Sequence, residues 1–134
     1  MTKCEVFGVY LIVFKINEGG ELSNKHYGLV LTKMSSSDKT FLVAPMTSKK
    51  RNKKYRGGIT IICEKYQNNP SAKKAFIQLR KIREVSIKRL LSNKKYSLDE
   101  EDTNKLKVAF HKFFKHLELD MGKLKKITSG AKEF

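Results

Sequence analysis

Residues 27–46, YGLVLTKMSSSDKTFLVAPM, are the clearest guide to the fold, because they contain two short apolar runs separated by a turn. Valine, tyrosine and phenylalanine occur in these runs, as is typical of strands. The segment SSSDK, residues 35–39, has serine and aspartate side chains that bond nearby backbone groups in turns. We therefore predict strands over 27–34 and 40–46, joined as in a hairpin or meander. Pro45 lacks a backbone N–H, which places the end of the second strand at an edge or a bend.

Short apolar segments on either side extend this pattern. Residues 5–16, which include VFGVYLIVF, predict a strand before the central stretch, and ITIIC at 59–63 predicts one after it. The segment AFIQLRKIREVS at 75–86 follows neither the strand period nor the helix period cleanly. We interpret it as one strand with a bend, passing into a turn at 87–91. Four or five short strands separated by loops indicate a small barrel.

The C-terminal part has the pattern of an amphipathic helix that closes this barrel. Ser97 followed by Glu100 matches a capping box at the start of a helix. Apolar side chains then recur at helical spacing, at Leu106, Phe110, Phe113, Phe114 and Leu117. Gly122 marks the stop. The 134 residues thus predict one α+β domain, with the barrel over about 4–91, the helix over about 97–121 and a basic tail at 122–134.

The charge is strongly unbalanced, with 29 Lys and Arg against 13 Asp and Glu, a net charge of +16. Such a field attracts polyanions, above all nucleic acids; a lysine-rich proteome is the alternative explanation. The positive charge is densest in one segment, which we predict to bind RNA: Lys49, Lys50, Arg51, Lys53, Lys54 and Arg56. Tyr55 among them is suited to stacking on a base. The alternative for this segment is a merely solvated basic loop.

Several classes of site find no support in the sequence. Cys4 and Cys63 lie far apart and form no C-x-x-C pair, which speaks against zinc and favours a reducing, cytoplasmic setting. Glu5, Asp38 and Glu64 form no pair or triplet with a spacing that would hold Mg²⁺. The apolar run at 6–14 is too short to span a bilayer. We therefore predict no metal, no cofactor and no membrane contact.

Cleavage of RNA is a reaction that needs no metal, because the 2′-OH of the ribose can attack the adjacent phosphate. The protein must then position the backbone, move protons and stabilise the charge on the phosphoryl oxygens. The chain has suitable residues for this in His26, Thr47, Ser48 and Arg80, with Lys25 and Lys49 beside them. The alternatives are a surface histidine, two turn-forming hydroxyl residues and an arginine at the sheet edge.

Four segments in this order resemble the MazF/PemK family of toxin endoribonucleases. GVYLIVFKINEGGELSNKHYGLVL resembles its first two strands, VAPMTSK the end of its third strand, FIQLRKIREVSIKRLL its Gln-hydrophobic-Arg segment, and SLDEEDTNKLKVAFHKFF its closing helix. The resemblance extends over about residues 8–117. It implies an SH3-like barrel of the MazF/CcdB type with a C-terminal helix, usually in a homodimer.

The resemblance also implies sequence-specific cleavage of single-stranded RNA and an antitoxin that blocks the site. Thr47 matches the threonine at the end of the family's third strand, Ser48 follows it, and Arg80 matches the arginine of the Gln-hydrophobic-Arg motif. His26 stands where many members have an arginine followed by proline. Ile77 stands where some members have an aspartate, so a proton relay through that aspartate does not transfer to this chain.

Three other functions remain open at this point. The first is a ToxN-like type III toxin, which has the same barrel but is neutralised by an RNA instead of an acidic protein. The second is a non-catalytic SH3-like module that binds nucleic acid, with Thr47 and His26 making contacts only. The third is a poison of DNA gyrase on a related barrel.

Overall fold

The computed structural model describes residues 4–14 and 24–117. In this part of the chain, seven strands form one curled antiparallel sheet, and a helix follows the last strand. The strands are β1 (Gly8–Phe14), β2 (Asn24–Val30), β3 (Thr40–Ser48), β4 (Gly58–Ile62), β5 (Lys74–Gln78), β6 (Arg83–Ser86) and β7 (Tyr96–Ser97). The helix is α1 (Glu100–Phe113), and short 3-10 turns occupy Cys63–Lys65, Leu79–Lys81, Ile87–Arg89 and Lys115–Leu117. The predicted α+β fold, a barrel-like sheet with a C-terminal helix, is confirmed.

Strand β3 is the centre of the sheet because it pairs with three other strands along its length. Thr40–Val43 pair with β6, Val43–Pro45 with β2, and Met46–Ser48 with β5. The full order is β4-β5-β3-β2-β1-β7, with β6 on β3 outside this path. The chain can change partners at Pro45 because a proline has no N–H to contribute to a continuous ladder.

The core includes residues from both faces of the central strands, since neighbours such as Val43 and Ala44 of β3 are both buried and belong to different clusters. One cluster lies under β4, β5 and the helix, and includes Ile61, Ile77, Leu79 and Leu106. A second cluster joins β1 to β2 and β3, and its members are Tyr10, Ile12, Phe14, Val30, Phe41, Val43 and Val85. Both clusters draw on β3, so the strand that connects the pairing partners also connects the two halves of the core.

Segment 75–86 is not one bent strand, and that prediction is wrong in detail. The segment forms two strands, β5 and β6, with the turn Leu79–Lys81 between them. The backbone N–H of Leu79 donates to the C=O of Gly57 at 2.8 Å, which continues the register of the β4–β5 ladder by one residue before the turn. The Leu79 side chain is buried in the core at 1% exposure. Strand β2 likewise differs from the predicted 27–34, since it begins at Asn24 and ends at Val30.

The predicted capping box at the start of the helix is also wrong. Ser97 belongs to β7, where it pairs with Gly8 of β1. The N-cap is Asp99, whose carboxylate accepts a hydrogen bond from the backbone N–H of Asp102 at 2.8 Å. The three residues after Asp99 are acidic and lie in the first turn, where they stabilise the helix because they are near the positive end of its dipole.

The helix ends at Phe113, earlier than predicted. The predicted stop at Gly122 and the predicted basic tail at 122–134 lie outside the described residues. Of the predicted apolar stripe, Leu106 is buried, whereas Phe110, Phe113 and Leu117 are 40%, 37% and 77% exposed. In the described part of the chain, no helix has the length and apolar character needed to cross a membrane.

A charged cluster fixes the start of α1 to the turn after β4. The Lys65 ammonium lies 2.6 Å from Asp99, 2.7 Å from Glu101 and 3.3 Å from Asp102. The Tyr66 hydroxyl donates to the buried Asp102 carboxylate at 2.5 Å. The hydrogen bond from Lys65 lowers the pKa of Asp99, and burial together with the bond to Asp102 raises the pKa of Tyr66. The three carboxylates lie within 4.8 Å of one another, and Lys65 forms an ion pair with each of them, which makes the group a structural anchor.

Candidate active site

Strands β2 and β3 separate from each other at one end. Their backbone pairing stops at Gly28 and Pro45. Beyond this point Lys25–Tyr27 of β2 pair with β1, whereas Met46–Ser48 of β3 pair with β5. We call the gap between these two three-residue stretches the fork. The fork exists because the pairing of β2 with β3 ends at Gly28 and Pro45, while β3 continues to Ser48 along β5 on its other edge.

A cavity of about 560 Å³, the basic cleft, opens at the fork. His26 of β2 and Thr47 of β3 line it from opposite arms of the fork, and Arg80 lines it from the turn between β5 and β6. These three residues, which come from separate parts of the sequence, thus lie in one cavity. The other lining residues are Phe14, Pro45, Lys53, Lys54, Tyr55, Arg56, Phe76, Gln78, Lys81 and Arg83.

The basic cleft is strongly positive. Of the described residues that line it, six are cationic, namely Lys53, Lys54, Arg56, Arg80, Lys81 and Arg83, and none is acidic. The salt bridges within the described part of the chain involve Lys65, Lys94 and Lys105, and so none of the six cations of the cleft. A concave surface with charge of one sign focuses its field on an approaching anion. The cleft is therefore suited to a phosphate backbone.

Tyr55 holds the basic loop, residues 49–56, in one conformation. Its hydroxyl accepts a hydrogen bond from the backbone N–H of Lys50 at 2.8 Å and donates to the C=O of Ser48 at 3.3 Å. Its ring lies 5.2 Å from the ring of Phe76, and the ammonium of Lys53 lies 5.4 Å from the Tyr55 ring centroid. The loop is thus folded back on β3 and β5. That the Tyr55 ring stacks on a base stays a prediction.

Arg80 reaches the basic cleft by crossing the backbone of Gly57. Gly57 has a φ of +74°, in the left-handed region. A Cβ atom at this position would lie 2.3 Å from Cγ of Arg80 and 2.6 Å from its Cδ. Glycine is therefore required here both by the backbone conformation and by the close approach of the arginine side chain.

His26 and Thr47 have side chains that are available to a ligand. Both are half-buried, and neither forms a side-chain hydrogen bond within the described part of the chain. The His26 ring packs at 6.1 Å and 53° against the ring of Phe14, which limits its orientation. Thr47 pairs with Phe76 on β5, so its strand position is fixed by the sheet. An imidazole and a hydroxyl thus lie at the fork on rigid elements.

The sequence-based selection of site residues misses Gln78 and Arg83. The Gln78 side-chain amide donates to the C=O of Pro45 at 3.4 Å, which links β5 to β3 beside the fork. The Arg83 guanidinium lies 5.5 Å from the Phe14 ring centroid. The signal for Gln78 is its place in the Gln-hydrophobic-Arg pattern two residues before Arg80. Arg83 gives no such signal, because the turn that brings it to the cleft is not evident from the sequence.

The predicted RNA-binding residues divide into three groups. Lys53, Lys54, Tyr55 and Arg56 line the basic cleft. Lys25 and Lys50, together with Ser48, line another cavity, the second cleft, which His26 and Thr47 also line, so that the two cavities meet at the fork. Lys49 and Arg51 line neither cleft, and the Lys49 ammonium donates to the Thr60 hydroxyl at 3.0 Å. The catalytic and binding roles of all these residues stay predictions.

A model of the family described as PemK-like, MazF-like toxin of type II toxin-antitoxin system matches residues 5–114. The chain belongs to this family. Two solved MazF structures share its fold. The toxin MazF-mt6 of Mycobacterium tuberculosis has a TM-score of 0.58 at 14% identity, over 81% of this chain and 96% of that one. MazF of Deinococcus radiodurans has a TM-score of 0.60 at 11% identity, over 85% of this chain and 98% of that one.

At these identities the two structures bear on the fold alone, and they confirm the predicted MazF-type architecture. No curated protein sequence shows a significant match to the chain. Membership in a type II MazF-like family implies an antitoxin as a partner. The family therefore favours the toxin interpretation of the basic surface over the non-toxin alternatives.

Proposed function

We propose that this toxin is a metal-independent, sequence-specific endoribonuclease that cleaves single-stranded RNA. The observation that carries the proposal is that His26, Thr47 and Arg80 share one cleft with five further cations, and that no acidic residue lines it among those the structure describes. These described residues offer no carboxylate oxygen of the kind that Mg²⁺ prefers. Its cations, in contrast, are suited to bind the RNA backbone and to stabilise the charge that develops on a phosphoryl oxygen.

In the proposed reaction the 2′-oxygen forms a bond to the adjacent phosphorus, and the bond from phosphorus to the 5′-oxygen of the next nucleotide breaks. The 2′-OH proton passes to a base, and the departing 5′-oxygen receives a proton. His26 has the side chain at the fork whose ring nitrogens can accept or donate a proton in this reaction. Arg80 and the Thr47 hydroxyl donate hydrogen bonds to the phosphoryl oxygens. The products are a 2′,3′-cyclic phosphate and a 5′-OH end.

Incubation of an end-labelled RNA with the protein in EDTA tests this function. We expect fragments with 2′,3′-cyclic phosphate ends, and no cleavage at a site whose nucleotide carries 2′-deoxyribose. His26→Ala and Thr47→Val should each reduce the cleavage rate by at least about 100-fold, within the range typical of lost acid–base or electrostatic groups. His116→Ala, at an exposed histidine that lines neither cleft, is the matched control.

Retention of intact RNA by the wild-type protein would instead favour a binding module without catalysis. Cleavage by His26→Ala and Thr47→Val at the wild-type rate would show that the reaction occurs elsewhere on the protein. A requirement for a divalent ion would contradict the proposed mechanism.

The proposal extends to the partners of the toxin. We expect a small acidic protein antitoxin, in line with the type II family description, and a cytoplasmic location where RNA is accessible. Exposed apolar side chains on and after α1, at Phe110, Phe113 and Leu117, support a homodimer that buries them. Co-purification distinguishes the antitoxin classes, since a bound RNA in place of an acidic protein would indicate a ToxN-like system.

A further inference from the structure

The second cleft differs chemically from the basic cleft, although the two meet at His26 and Thr47. Its volume is about 460 Å³, within the range of about 300–1,000 Å³ that is common for small-ligand sites. Its described lining has two lysines, Lys25 and Lys50, where that of the basic cleft has six cations, and it includes no acidic residue. A mostly neutral group therefore fits the second cleft better than a run of phosphates.

The lining of the second cleft combines an apolar floor with aromatic rings. Met46, Cys63 and Ala75 are buried and form the floor. Tyr27 and Tyr96 also line the cavity, and Tyr96 is held by stacking on Tyr66 at 4.7 Å between ring centroids and an angle of 13°. Flat apolar and aromatic surfaces of this kind are suited to the face of a nucleobase.

Gln67 supplies the polar group that such a cavity needs to distinguish one base from another. Its side chain lines the second cleft and forms no hydrogen bond within the described part of the chain. Its backbone N–H donates to the C=O of Cys63 at 2.9 Å, so the residue is fixed to the turn after β4. A carboxamide offers both donors and an acceptor, which allows it to pair with the edge of a base.

We infer that the second cleft binds the base of a nucleotide next to the scissile phosphate, and that Gln67 determines which base is accepted there. The inference rests on the proposed RNA cleavage at the fork. With the scissile phosphate between His26 and Thr47, the backbone on one side enters the basic cleft and the neighbouring base on the other side enters the second cleft. Lys25 and Lys50, both exposed, then contact the phosphate of that nucleotide.

Sequencing of the cut ends from an RNA library with a randomised segment tests the inference. In the wild-type protein we expect a base preference at a position directly next to the cut. In Gln67→Ala this preference should fall by about 5- to 150-fold, the discrimination expected from one bidentate contact, while preferences at other positions persist. In Gln67→Glu, which has an acceptor in place of the donor, the preference should move toward cytosine, whose amino group donates.

Asn68→Ala is the matched control, since Asn68 is exposed, adjacent in sequence and outside both clefts. Gln67→Met retains the side-chain length and replaces the alanine variant if that variant does not fold. Wild-type preferences in the Gln67 variants, or an equal loss of rate at all sites, would overturn the inference and leave the proposed function intact. A wild-type protein that leaves RNA uncut would overturn both.

Discussion

Two lysines that line the basic cleft, Lys53 and Lys54, allow a quantitative test of how the toxin holds RNA. Binding to a single strand releases counterions, so that log K falls with log salt with a slope of about −0.7 for each neutralised phosphate. If each of the six cations of the cleft neutralises one phosphate, the slope is about −4.2. Replacement of Lys53 and Lys54 by alanine leaves four cations and a slope of about −2.8.

These slopes predict how affinity changes with salt. Between 50 and 200 mM salt, the wild-type affinity should fall by about 300-fold and that of the double variant by about 50-fold. The measurement is fluorescence anisotropy with a labelled 2′-O-methyl RNA, which lacks the free 2′-OH and therefore stays uncut. The salt series separates a loss of local contacts from a general loss of affinity.

The control removes the same net charge elsewhere. Lys33 and Lys88 are exposed and line neither cleft, so their replacement by alanine lowers the net charge by the same two units. We expect this variant to keep the wild-type slope. An unchanged slope in the cleft variant, or an equal change in both variants, would refute the assignment of RNA phosphates to the basic cleft.

Three further predictions concern the residues that hold the site and the helix in place. Gly57→Ala should displace Arg80 and slow RNA cleavage, because the added Cβ meets the arginine side chain. It should also lower the free energy of unfolding in urea titrations by about 1–2 kcal/mol, because φ is positive at this position. Cleavage by this variant at the wild-type rate would contradict the prediction. Tyr55→Phe removes both hydrogen bonds to the basic loop and should raise KM for RNA more than it lowers kcat in steady-state kinetics. The hydrogen bond from Lys65 lowers the pKa of Asp99, so the ion pair between them stabilises the fold above pH about 4, and this stabilisation is lost as Asp99 is protonated below that pH. In Lys65→Met, the unfolding free energy should therefore fall less steeply as the pH is lowered below about 4.

Local patterns predicted the strands well because each is a short apolar segment bounded by turn residues. The stretch 27–46 gave both its strands and their antiparallel joining through the turn at 35–39, as the pairing of β2 with β3 confirms. The break in 75–86 was not predictable in this way. The two halves of the segment pair with different parts of β3, Met46–Ser48 and Thr40–Val43, and such pairing between distant parts of the chain is not revealed by any local period.

The helix start shows a different limit of sequence reasoning. Ser97 and Asp99 are both good N-cap residues, and each is followed three residues later by an acidic one. The structure selects Asp99 because Ser97 is used for pairing with Gly8. Competition between a helix cap and a strand pair is decided by the whole fold, and the sequence near the helix contains no information about β1.

The candidate site was predictable in its residue types and not in its arrangement. The charge density of 49–56 and the pattern around Thr47 indicate a nucleic-acid surface without any structure. The division of that surface into two chemically different clefts depends on the end of the β2–β3 pairing at Pro45. Gln67 lies well outside every motif in the sequence, and it enters the second cleft only through the fold.

The distribution of ion pairs indicates that the charges of the basic cleft are placed for a ligand and not for the fold. In the described part of the chain, acidic residues pair with Lys65, Lys94 and Lys105, while the six cations of the cleft have no acidic partner. Cations that face one another without a counter-charge repel, which lowers the stability of the folded state. The Lys53→Ala and Lys54→Ala double variant should therefore be at least as stable as the wild type in urea unfolding while it binds RNA more weakly. A loss of stability in that variant would mean that the two lysines support the fold.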